Sequence, residues 1–91
     1  MDCTKTPFYL VGLDFVGAMA LTLAEGLKEG RQPFDWQQID WTHETYSQYY
    51  SALLRHVSAA NYSPAVGDSC KHWLAVACNA YIIWWHESRK G

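Results

Sequence analysis

Four side chains stand out for the places they occupy. Arg55 and His56 close the phrase S-A-L-L-R-H over residues 51–56, His72 follows, and Asn79 sits inside A-C-N-A over residues 77–80. Each lies on or beside the apolar face of a segment with helical spacing, where packing alone would select aliphatic residues. Guanidinium matches the charge and geometry of a phosphate, while imidazole and amide groups can read the edges of a heterocycle. Lys28 and Arg31 can add cationic charge at the mouth of such a site, and Trp36 or Trp41 can stack on a planar base. The set suits an anionic ligand that carries a heterocycle.

Each member also has an ordinary alternative. His56 shares a helix face with Tyr49, Leu53 and Ala60 at a core boundary, where a histidine often serves packing, and Arg55 points about 100° away from it. Asn79 can bridge neighbouring helices, and His86, seven residues beyond Asn79, can complement a helix C-terminus. The aromatic residues Phe34, Trp36 and Trp41 can fold back as a lid over a small core.

Catalytic chemistry is less well supplied. Metal-assisted attack on a phosphoanhydride needs clustered carboxylates, and no segment presents an E-x-x-E or E-x-x-D pair. Glu25, Asp68 and His72, from three different segments, are the available metal ligands if Mg2+ or Mn2+ takes part; otherwise no cofactor is indicated. No Ser/His/Asp order and no glycine-rich phosphate loop stands out. The three cysteines, Cys3, Cys70 and Cys78, include no C-x-x-C pair that would build a zinc site. Cys70 and Cys78 would lie about 12 Å apart along one helix, too far for a disulfide, so free thiols in a reducing cytoplasm are expected.

Three helices are expected to position these groups. The first covers about residues 13–29, where Val16, Met19, Ala20, Leu23, Ala24 and Leu27 share one face and Gly30 follows as a terminator. An aromatic loop covers residues 30–41. The second helix covers about residues 42–60, capped by Thr42 or Asp40, with Tyr46, Tyr49, Tyr50, Leu53, Leu54, Val57 and Ala60 in the clearest periodic pattern of the chain. A turn at residues 61–68 leads to a third helix over about residues 69–87, capped by Asp68 or Ser69. There Ile82, Ile83, Trp84 and Trp85 are consecutive and cover about 300° of the helix circumference. One core face cannot bury all four, so a second subunit or the N-terminal segment, residues 1–12, must cover the outer indole. The fold class is all-α: a single small bundle of three helices, completed by homo-oligomerisation.

Composition narrows the partners. Ninety-one residues make one domain, and a net charge of −2 without a basic stripe excludes duplex nucleic acid and an anionic membrane as expected partners. The apolar stretch over residues 8–27 is interrupted by Gly12, Asp14, Gly17, Thr22, Glu25 and Gly26. Neither a signal peptide nor a membrane span is expected, and the cytoplasm is the expected location.

The ordered series A-E-G-L-K-E-G over residues 24–30, Trp36, Y-S-A-L-L-R-H over residues 50–56, His72 and A-C-N-A over residues 77–80 resembles the dATP/dGTP diphosphohydrolase N-terminal domain family. The resemblance covers about residues 20–87. It implies a helical fold akin to the all-α nucleotide pyrophosphohydrolases, a purine nucleotide or its phosphates as ligand, and a source among bacteriophages, in whose genomes the family is common. The chain departs from the family pattern in several places. K-E-G stands for K-Y-G, Asp35 stands for the asparagine before Trp36, and the acidic loop is shortened to residues 63–69. The motif H-L-x-H becomes His72-Trp-Leu-Ala75, which loses the second histidine. The expectation is a protein that binds or sequesters a purine nucleotide or nucleotide-derived signal through Arg55, His56, His72, Asn79, Lys28, Trp36 and Trp41. Two alternatives remain open: a divalent-metal nucleotide pyrophosphohydrolase, and a phage inhibitor that docks on a host protein through exposed tryptophans.

Overall fold

The computed structural model describes residues 7, 10–28, 30, 34–62 and 66–90; at positions 26–28 and 66 it describes the backbone alone. The fold is all-α, with no strand among the described residues. Helix α1 spans Leu13–Lys28, α2 spans His43–Tyr62 and α3 spans Val66–Ser88, with one 3₁₀ turn at Asp35–Gln37 between α1 and α2.

Local chemistry sets the helix starts. Thr42 caps α2: its hydroxyl accepts from the Thr45 amide at 3.3 Å, and the Thr45 hydroxyl accepts from the Thr42 amide at 2.8 Å. This reciprocal pair satisfies two amides that the first turn would otherwise leave open. Helix α3 begins at Val66, before the expected caps. Asp68 therefore lies in the first turn, where a carboxylate complements the helix dipole. Ser69 does not cap the helix either; its hydroxyl donates to the Ala60 carbonyl of α2 at 3.2 Å.

The packing makes α3 the central helix. It contacts both α1 and α2, while α1 and α2 make no helix–helix contact among the described residues. The α2–α3 pair is antiparallel, because Ala60 meets Ser69, His56 meets His72 and Trp41 meets His86 as one numbering rises and the other falls. On the other flank, the buried Cys78 thiol donates to the Met19 carbonyl of α1 at 3.6 Å. Burial raises the Cys78 pKa, keeping the thiol protonated as that bond requires.

Two neighbours on two sides account for part of the consecutive apolar run of α3. Ile82 is buried and Trp85 is partly covered, whereas Trp84 points outward at 59 % exposure. The buried residues Cys78, Ile82 and His86 recur every fourth position along α3, and Ala60 joins them from α2. Among the described residues no large side chain is fully buried, and Leu13 and Leu21 on α1 are 85 % and 72 % exposed. The radius of gyration, 14.7 Å, exceeds the roughly 12 Å of a compact chain of this length. No helix among the described residues is long and apolar enough to cross a membrane.

Candidate functional site

The seam between α2 and α3 brings two of the expected residues into direct contact. His56 Nδ1 and His72 Nδ1 lie 3.1 Å apart, with ring centres separated by 5.3 Å and planes inclined at 38°. A bond between two imidazole nitrogens requires one to carry hydrogen and the other a lone pair. Two protonated rings would set two donors face to face. The basicity of His56 is lowered, first by burial, then by the charge of His72 and then by that of Arg55. His56 is consequently held toward its neutral form.

Arg55 is exposed beside this pair, with no ion pair among the described residues. Its charge reaches His56, so an anion approaching the seam meets a cation and two imidazoles together.

The remaining candidates are distributed differently. Asn79 donates its side-chain amide to the Ala75 carbonyl of its own helix at 2.9 Å, two turns or about 10 Å beyond His72. The side chain of Lys28 and the whole of Arg31 fall outside the described residues. Trp36 and Trp41 sit at the C-terminal end of α3, about 21 Å along the helix from His72. The Trp36 ring packs edge-on against Tyr81 and Trp85, each at 5.3 Å. Its carbonyl accepts a 2.7 Å bond from His86 Nε2. Trp41 lies flat on the His86 ring at 4.3 Å and 5°, against Tyr46 and Tyr49. The two indoles thus cover the open end of the helix pair as a lid, apart from the histidine pair.

His86 is more deeply placed than its sequence position announced: it is 6 % exposed and serves as the platform of that lid. The signal that places it there is the short α2–α3 connection, which forces an antiparallel register and sets residue 86 against residues near 41. A second feature of this end lacked any sequence signal. An open cleft of about 300 Å³ is lined by Trp41, Thr42, His43, Tyr46, Glu87 and Lys90. The Lys90–Glu87 ion pair lies there at 3.2 Å. The buried Nε1 of Trp41 has no hydrogen-bond partner among the described residues.

The carboxylate site that the hydrolase alternative would need is not gathered among the described residues. Among the described residues no three His, Cys, Asp or Glu side chains gather in a metal-binding group, so Glu25, Asp68 and His72 do not form one.

The model of the family dATP/dGTP diphosphohydrolase, N-terminal, matches residues 1–91. The chain belongs to that family. The match extends over the whole chain and so exceeds the span over which the motif series was legible. No curated protein and no solved structure matches the chain. Within this family scaffold, His56, which closes the S-A-L-L-R-H phrase, and the following His72 are the pair the fold brings together at the α2–α3 seam.

Proposed function

We propose that this member of the dATP/dGTP diphosphohydrolase N-terminal family binds a purine nucleotide, or a signal built from one, at the α2–α3 seam in the cytoplasm. The His56–His72 pair with Arg55 at its rim carries this reading. Arg55 meets phosphate charge, and His56 and His72 supply a donor and an acceptor to phosphate or base edges. Asn79 extends the polar lining along α3. Trp36 and Trp41 hold the fold's open end closed and contribute to the site only indirectly. The family description supports a purine deoxynucleotide as the ligand class. Binding is favoured over cleavage because, among the described residues, those that would hold catalytic cations are not gathered.

Incubation with dATP or dGTP and Mg2+ or Mn2+ separates the two activities. The proposal expects a rise in Tm with nucleotide and no monophosphate product. Product formation that is lost in His72→Ala would replace it with a pyrophosphohydrolase.

A second proposal concerns assembly. Trp73, Tyr81 and Trp84 recur at helical spacing on the side of α3 that neither α1 nor α2 covers, with the small Ala77 and Ala80 between them. Burying one such large side chain contributes about 1.5–3 kcal/mol, and a second copy of the chain offers an equivalent face by two-fold symmetry. We propose that the working form is a homo-oligomer closed through this stripe.

A further inference from the structure

We infer that His56 and His72 form a two-imidazole site for a borderline divalent cation of the Zn2+, Co2+ or Ni2+ class, bridging α2 to α3. The observation is geometric. A cation held at about 2.0–2.1 Å from each ring nitrogen, with a coordination angle between about 90° and 110°, places the two nitrogens about 2.9–3.4 Å apart. The Nδ1 atoms stand 3.1 Å apart, with both rings aimed into one seam.

The donor set selects the metal. Imidazole nitrogens favour zinc, cobalt, nickel and copper, whereas magnesium, calcium and manganese favour oxygen ligands. The site therefore differs from the Mg2+ or Mn2+ cluster that a carboxylate-based hydrolase would need. Binding requires both Nδ1 lone pairs, so each ring carries its hydrogen on Nε2 in the loaded form.

Two protein ligands leave coordination positions open. Arg55, whose charge reaches His56, opposes a bare cation but favours one whose remaining positions are filled by an anion. Hydroxide or a phosphate oxygen fits that requirement. The metal site stands on the two rings and needs no nucleotide, so it can be tested apart from the proposed function.

The experiment is a titration of the full chain with ZnCl2 and CoCl2, without nucleotide, by calorimetry and by 15N NMR of the histidine rings. The expected result is one site per chain, with the Nδ1 resonances of His56 and His72 moving together on zinc addition. Binding should fall at least tenfold in His56→Gln and in His72→Gln and persist in His43→Gln. Inorganic phosphate should tighten zinc binding in wild type and lose that effect in Arg55→Ala. Unmoved Nδ1 resonances in wild type, or full binding in both histidine variants, would overturn the inference; the wild-type NMR reading holds even if a variant fails to fold.

Discussion

Trp41 lies flat on His86, 4.3 Å between ring centres and 5° between planes, and this stack closes the end of the α2–α3 pair remote from the Ala60–Ser69 contact. His86 in turn donates to the Trp36 carbonyl, so one imidazole fastens both loop indoles. Trp36 and Trp41 serve the fold at this point, whereas Phe34 stays exposed.

Trp41→Ala should therefore cost stability and leave binding at the seam intact. Half-buried as it is, the ring should be worth about 2 kcal/mol, below the range for a fully buried tryptophan. Urea denaturation followed by helical circular dichroism measures the loss. Nucleotide affinity reduced tenfold or more in a folded Trp41→Ala would return the indole to the binding site.

Stability should fall on the acid side of neutrality through the histidine pair. His56 has a folded-state pKa below its ordinary 6.5. The unfolded chain therefore binds this proton more readily than the folded one. Its contribution is fully present above pH 6.5 and is lost as pH falls through the lowered folded-state value. The groups facing it are His72 and Arg55, both of which oppose its protonation. A Tm series from pH 8 to pH 5 should show the decline in wild type and a shallower one in His56→Asn. Parallel profiles would contradict it.

The two described thiols should differ sharply in reactivity. Cys70 is exposed, whereas Cys78 is buried against α1, with its thiol held protonated and donating to Met19. Alkylation mapped by peptide mass spectrometry should label Cys70 under native conditions and Cys78 only in denaturant. Equal labelling rates would mean that α1 does not cover α3 in solution.

The uncovered stripe of α3 should hold copies together. Light scattering after gel filtration should give a multiple of the 10.4 kDa chain mass, and Trp84→Glu should shift it toward one chain by placing a charge on the stripe. A wild-type monomer at micromolar concentration would exclude the assembly.

The three helices were legible because each carries an apolar repeat of 3–4 residues, most clearly Tyr46 to Ala60 on α2. The role of α3 was not legible. Covered by α1 on one flank and α2 on the other, its apolar positions spread around the helix, and only Trp84 of the run Ile82 to Trp85 stays exposed. The start of α3 was read late because Asp68 and Ser69 have the chemistry of caps. In the fold they serve the first turn and the bond to Ala60 instead. His56, His72 and Asn79 were expected in one site; the antiparallel register brings His56 and His72 into contact, while Asn79 bonds to its own helix two turns further along. Trp36 and Trp41 were expected at the same place, but composition does not say which end of a helix pair a loop will fold over. Fourteen residues of α3 separate His72 from the His86 platform.

Calorimetric titration of the chain with dATP and dGTP, in wild type and in Arg55→Ala and His72→Ala, tests the central claim most directly. One purine nucleotide site per chain is expected, weakened at least tenfold, about 1.4 kcal/mol, in each folded variant. No binding of either nucleotide to wild type, or unchanged affinity in both variants, would contradict a nucleotide site at the α2–α3 seam.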